Sequence, residues 1–236
     1  GAPLGSVTAE AAAQTGRPGG ALVVAGTTDS VAAFIASGAD RPGEAVTSLG
    51  STLVLKVLSA APVFAPDYGV YSHRLGDRWL VGGASNSGGA VLRRHFDDDR
   101  MALMMQDLSP DRPTGLDYYP LPAPGERFPV CDPDLAPRLT PRPDDDVRFF
   151  QGLLEGIARI ERDGYRRLQA LGAPYPASVR TLGGGARNAP WTAIRGRLLG
   201  VPMPAPRHRE AAYGAALLAL QGWRGRAVPR PSGRVA

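Results

Sequence analysis

Apolar and polar positions alternate along this chain in a way that predicts strands separated by glycine turns and helices. Ala21 to Ala25 is a short unbroken apolar run closed by Gly26, the pattern of a strand buried on both faces in a parallel sheet. Thr27-Thr28-Asp29-Ser30 follows as a cap-rich turn that opens a helical stretch from Val31 to Ser37, ending at Gly38. Glu44 to Leu49 and Leu53 to Leu58 read as a hairpin bent at Gly50-Ser51-Thr52, a turn that puts backbone N–H groups beside hydroxyls. A second hairpin is predicted from Tyr71 to Arg74 and Arg78 to Val81, around Leu75-Gly76-Asp77. Gly82-Gly83-Ala84-Ser85-Asn86-Ser87-Gly88-Gly89 then leads into a helix over Ala90 to Phe96.

From about Pro110 to Pro143 the chain is dense in proline and is expected to run over the surface with little regular structure, as a partner-facing or lid-like excursion. Asp144-Asp145-Asp146 introduces a long helix reaching Leu171, with Phe150, Leu153, Leu154, Ile157, Ile160 and Leu168 near helical spacing. Three acids ahead of a helix read as a cap and a dipole complement before they read as a metal site. Val179 to Leu182 is a strand ending in Gly183-Gly184-Gly185-Ala186-Arg187-Asn188, and Trp191 to Leu199 is helical. A strand that passes through glycines into a helix start suits an anion or a nucleotide. Val201-Pro202-Met203 reads as a short last strand, and Glu210 to Leu220 as a closing buried helix.

Composition narrows the function classes. Hydrophobic residues are 43% of the 236, charged residues 21%, and mean hydropathy is −0.15, values of a globular chain with a core. A single cysteine, Cys131, excludes an intrachain disulfide framework and, with three histidines, a thiolate zinc site; a reducing, cytoplasmic setting is expected. The longest uncharged apolar stretch, Ala211 to Trp223, is shorter than the roughly 20 residues a bilayer span needs, so no membrane crossing is expected. The start, Gly1-Ala2-Pro3-Leu4-Gly5, has neither an initiator Met nor a secretory signal's build and is expected to lie mid-protein. The formal net charge is +5, yet Arg224, Arg226, Arg230 and Arg234 carry four of those charges in an acid-free tail. With the body nearly neutral and Trp79, Trp191 and Trp223 scattered, no nucleic-acid partner is expected. Lys56 is the only lysine, so the GxxxxGK[ST] phosphate loop is absent and any phosphate must be held by glycine backbone and hydroxyls.

Taken singly, each glycine turn reads as ordinary punctuation, and Asp29 reads as a helix cap. Their order changes the reading. Gly-x-x-Asp after the first strand is followed by Ser-x-Gly-Ser-Thr, then Gly-Gly-Ala-Ser-Asn-x-Gly-Gly, then Gly-Gly-Gly-Ala-Arg-Asn-x-x-Trp, and finally Glu-Ala-Ala-Tyr-Gly-Ala-Ala. This series resembles the C-terminal half of the FGGY carbohydrate kinases, over nearly the whole chain. It is most similar to pentulose kinases of the ribulokinase and xylulokinase kind. Leu49 to Lys56 and Gly82 to Leu92 resemble the D-ribulokinase subgroup of plants and cyanobacteria.

The resemblance implies an α/β, actin-like ATPase and ribonuclease-H-like domain. Residues 1–20 would join the two family domains, 21–223 would form the nucleotide-binding domain, and 224–236 would be a disordered basic tail. Asp29 matches the catalytic aspartate, a sugar-contacting residue that takes the proton from the terminal hydroxyl as it attacks the γ-phosphorus of Mg2+-bound ATP. Gly50 and Ser51 match a phosphate motif, Gly88 and Gly89 a turn beside the nucleotide, and Gly184, Gly185 and Asn188 the adenosine motif, where a side chain at Gly185 would collide with the nucleoside. No metal-ligating residue is assigned. Close packing against a strand is the competing reading of Gly88 and Gly89, and a plain strand-to-helix turn that of Gly184, Gly185 and Asn188. The family's Gly-Thr-Ser order is Gly50-Ser51-Thr52 here, and Ser30 stands where many members have Asn or Gln. The N-terminal Asp-x-Gly-Thr motif and most of the sugar pocket are absent. The expected partners are therefore a sugar, ATP and a missing N-terminal kinase domain, with self-association into a homodimer through the surface that domain would cover. The competing expectation is a catalytically silent actin-like nucleotide-binding scaffold.

Overall fold

In the computed structural model, which describes residues 1–225, the chain divides into two compact units. One holds residues 1–36 and the chain from His208 onward. Its first strand β1 (Pro3–Ser6) and helix α1 (Ala9–Thr15) lie in the stretch expected to join the two family domains, and β1 pairs antiparallel with β2 (Leu22–Val24). The apolar run around Val23 is therefore not a buried parallel strand. A two-stranded ribbon leaves one face open, and Val23 is 40% exposed. Helix α2 (Asp29–Ser37) begins two residues before the expected start.

The second unit, Ser37–Arg207, is built on a five-stranded mixed sheet. Strands β3 (Glu44–Leu49) and β4 (Leu53–Ser59) form the first predicted hairpin, with Leu49 opposite Leu53 and the Gly50 N–H closing the turn on the Thr52 carbonyl. Strands β5 (Tyr71–Leu75) and β6 (Arg78–Ser85) form the second. Gly82 and Gly83 continue β6 rather than turning, because their backbone pairs with Lys56 and Leu55 of β4. After the short α3 (Gly89–Leu92) comes α4 (Asp98–Met104), which the sequence pattern did not predict. Then come α5 (Asp146–Ala170), β7 (Ser178–Leu182), a 3-10 turn over Gly184–Arg187, and α6 (Ala189–Leu199). The sheet order is β5-β6-β4-β3-β7, antiparallel except for the parallel pair β3 and β7. That pair, in the register Ser48 opposite Leu182, delivers the Gly50 and Gly183 turns to one edge.

Helix α5 packs on β4 and β6, where Leu53, Leu55 and Val57 meet a core containing Phe150, Leu153, Leu154 and Ile157. Asp145 caps it by accepting the Val147 N–H. The proline-dense stretch is irregular, as expected, but it does not run over the surface: Leu116, Tyr118, Leu121 and Phe128 are buried. Gly152 and Gly156 make room for it. A Cβ at either would lie 2.8 Å from Leu116 or Pro120 atoms, so only a helix bare at those positions admits the segment. Gln151 and Glu155 satisfy its backbone by bonding Ser109, Arg112 and Thr114.

Two further expectations are corrected. Val201-Pro202-Met203 forms no strand: the Pro202 carbonyl accepts from the Val179 N–H, but proline has no N–H to return, so no ladder propagates. The last helix, α7 (Ala211–Arg224), is largely exposed instead of buried, with only Gly214 and Gly222 covered, against Ala32 and Val24 of its own unit. It also runs through Arg224, where the basic tail was expected to begin; the rest of that expected tail, 226–236, lies outside the described residues.

Candidate functional site

Backbone contacts bring two of the glycine motifs together at the C-terminal end of β3. The Gly89 N–H donates to the Gly50 carbonyl at 2.9 Å and the Ala90 N–H to the Ser51 carbonyl at 3.1 Å, so α3 starts directly on the β3–β4 turn. Gly88 makes this approach with φ +147°, and a Cβ there would lie 2.7 Å from the Ser51 carbonyl oxygen. From the neighbouring strand, Gly183 turns with φ +81° against the Leu49 carbonyl. Asn188 is buried and accepts the Trp191 N–H on its side-chain oxygen at 2.8 Å, capping α6.

These turns border a cleft of about 510 Å3. Gly50, Ser51, Gly89, Gly184, Gly185 and Asn188 all line it. Gly88 is not among its lining residues; it packs on the Ser51–Thr52 turn next to it. Leu92, Met101, Met105, Phe150 and Trp191 supply an apolar wall, and Arg93, Asp98 and Arg187 supply charge. Arg93 is paired to Asp98 at 3.3 Å. The cleft thus offers a flat apolar surface next to glycine backbone, a hydroxyl and a guanidinium, a combination that accepts a planar ring carrying an anionic group. Trp191 and Arg187 stand inside the quoted glycine motif, whereas Met101 and Met105 sit on or beside α4, which is too short to announce itself by periodicity.

A Cβ at Gly185 would meet Leu49 at 2.7 Å and Trp191 at 2.8 Å, so the first collision is with the chain's own cleft wall. A Cβ at Gly184 meets nothing within 4 Å. Asp29 lies in the other unit, in the first turn of α2. It is exposed, and it is not the cap: Thr28 takes that role, its carbonyl accepting from Ala32 and its hydroxyl lying 3.4 Å from the Val31 N–H. The Asp29 carboxylate accepts the adjacent Ser30 N–H at 2.6 Å.

Beneath the sheet edge lie two polar networks that the sequence did not reveal. Arg195 donates to both Glu161 oxygens at 2.6 and 2.7 Å and to Thr181, while Thr47 donates to Glu161 and meets Tyr165 at 2.8 Å. Burial, followed by the Glu161 charge, holds the Tyr165 hydroxyl far above its ordinary range and therefore protonated. The second network surrounds Glu126, which accepts from Asn86 and Ser85 just ahead of Gly88.

Residues 45–223 match the C-terminal domain of the FGGY family of carbohydrate kinases. Among solved structures, a xylulose kinase from Brucella ovis is similar at 27% identity and TM-score 0.81, over 95% of this chain and 48% of that one. A xylulose kinase from Rhodospirillum rubrum is similar at 25% identity and TM-score 0.77, over 96% and 48%. A ligand-bound xylulose kinase from Lactobacillus acidophilus, at 17% identity and TM-score 0.78 over 94% and 47%, shares the fold. The fold is accordingly the actin-like ATPase, ribonuclease-H-like one of sugar kinases, and the chain spans about half the length of the solved structures it matches.

Proposed function

Because this chain belongs to the FGGY family of carbohydrate kinases, we propose that it is the C-terminal half of a pentulose kinase, which phosphorylates D-ribulose or D-xylulose at the terminal hydroxyl using ATP. The observation that carries the reading is the single cleft shared by Gly50, Ser51, Gly89, Gly184, Gly185 and Asn188. In this reading the adenosine lies along Gly184, Gly185 and the Trp191 wall, and the phosphates face Gly50, Ser51 and Gly89. Gly88 shapes the last of these turns, and Asn188 fixes the start of α6. Two xylulose kinases at 25% and 27% identity support a pentulose acceptor, and the Leu49–Lys56 stretch is what favours D-ribulose.

Asp29 would accept the proton of the attacking hydroxyl. Phosphoryl transfer through a loose transition state needs positioning and a proton acceptor more than covalent help, and an exposed carboxylate relieved of capping is free for that work. Magnesium would supply charge neutralisation on the phosphates. In this reading the ion enters with the nucleotide. The lone cysteine favours a cytoplasmic setting.

Calorimetric titration of ADP and of a non-hydrolysable ATP analogue into the chain tests the cleft. Saturable one-site binding is expected, and no binding at millimolar nucleotide would overturn the assignment. Binding without turnover in the protein carrying both halves would select the silent scaffold instead.

A further inference from the structure

We propose that Glu126 is a positioning residue for this cleft, holding the Ser85–Ser87 turn and, through it, Gly89 against Gly50; the inference rests on reading the cleft as a nucleotide site. Glu126 comes from the proline-dense segment and is 3% exposed. Its Oε1 accepts the backbone N–H of Asn86 at 2.7 Å, of Arg127 at 2.9 Å and of Phe128 at 3.4 Å. Its Oε2 accepts the hydroxyls of Ser85 and, at 3.2 Å, Tyr119. Among the described residues it makes no ion pair.

A buried carboxylate without a countercharge is a costly way to tie two loops, since neutral groups could make similar bonds with less desolvation. What a carboxylate offers is two acceptor oxygens at a fixed separation, and here each takes one bond from this turn, Oε1 from Asn86 and Oε2 from Ser85. The turn is fixed at every residue. Ser85 Oγ also accepts the Ser87 N–H at 3.0 Å, Asn86 Nδ2 donates to the Gly125 carbonyl at 3.0 Å, and Ser87 Oγ donates to the Pro120 carbonyl at 2.6 Å. Two residues after Ser87 comes Gly89, whose N–H bonds the Gly50 carbonyl and whose backbone lines the cleft beside Ser51. A side chain more than thirty residues downstream thereby sets the turn that meets the nucleotide in the reading above.

The experiment is calorimetric ADP affinity on the 236-residue chain, with folding checked by circular dichroism. Glu126→Ala should weaken ADP about tenfold at temperatures where it stays folded, because the Asn86 N–H loses its acceptor. Glu126→Gln should stay within about twofold: one oxygen still accepts the N–H groups, and the Ser85 and Tyr119 hydroxyls rotate to accept from the amide. Ser85→Ala should weaken ADP by a few-fold and decides the matter if Glu126→Ala does not fold. Gln151→Ala, which unties Ser109 and Arg112 without lining the cleft, should lower the melting temperature and leave ADP affinity unchanged. Unchanged ADP affinity in folded Glu126→Ala or Ser85→Ala overturns the proposal alone, as does an equal affinity loss in Gln151→Ala. Absence of ADP binding in the parent chain overturns the cleft assignment itself.

Discussion

At the residue scale, Asp29 illustrates how a side chain is separated from the bland role its position suggests. From sequence it is one of four cap-forming residues in a row, and local pattern alone reads it as the cap. The backbone chooses Thr28, which leaves Asp29 an exposed carboxylate that accepts its neighbour's N–H. Asp29→Asn keeps the volume and gives up the proton acceptor, so kcat in the two-domain enzyme should fall roughly 10²- to 10⁴-fold with ATP affinity spared; near-normal kcat would remove the assignment. The adjacent glycines make a sharper pair. Gly184→Ala points a methyl into open space, so the melting temperature should hold while any ADP packed there is weakened. Gly185→Val must instead displace Leu49 and Trp191, lowering both ADP affinity and stability. If Gly184→Ala binds ADP as well as the parent, the nucleoside does not lie against Gly184. Glu126, Glu161 and Arg195 are not legible in the sequence because defining partners lie far along the chain, Asn86 40 residues from Glu126, and Glu161 34 from Arg195 and 114 from Thr47, and nothing in a local window marks a polar residue as buried.

At the element scale, the features legible in the sequence are those set locally. The β3–β4 and β5–β6 hairpins, the capped start of α5 and the glycine end of α2 all follow from turn chemistry within a few residues. The misreadings arise where pairing or packing decides. An apolar run at Leu22–Val24 cannot say which neighbour it will have, and a proline-dense stretch reads as surface until Gly152 and Gly156 open a groove for it. The parallel β3–β7 pair carries its own polar clamp: Arg180 meets Glu44 at 3.0 Å, and Glu44 also accepts the Asp40 and Arg41 N–H groups. Burial alone would raise the Glu44 pKa, but those bonds and the Arg180 charge outweigh it and hold the carboxyl below its ordinary range. A depressed folded-state pKa means stability that is present above the unfolded value and is lost as pH falls through the folded one. Melting curves should therefore drop more steeply between about pH 5 and pH 3 for the parent than for Glu44→Gln. At neutral pH that variant should melt about 2–4 °C lower. Parallel pH profiles would show that the clamp contributes nothing.

At the scale of the whole molecule, the governing fact is that the chain spans about half the length of the kinases it matches. Its second unit has a continuous core from Ala45 to Leu199, and among the described residues no buried side-chain nitrogen or oxygen lacks a partner. Such a body should fold by itself, giving one cooperative unfolding transition that ADP shifts upward. Catalysis asks for more. Alignment of the attacking hydroxyl with the phosphoryl group supplies much of the rate in such transfers, and it needs a sugar held in register with the nucleotide while water is excluded. The cleft has an apolar wall and glycine backbone suited to the proposed nucleotide, while on the same proposal only Asp29 meets the sugar. This chain alone should therefore bind adenine nucleotide weakly and leave D-ribulose and D-xylulose unphosphorylated. If the half-enzyme reading holds, surface meant for a second half would favour self-association, visible as a concentration-dependent sedimentation coefficient. A coupled assay with ATP, magnesium and each pentulose decides the main point. Turnover comparable to that of a two-domain kinase would mean that these 236 residues contain a complete sugar pocket, and the half-enzyme reading would fall.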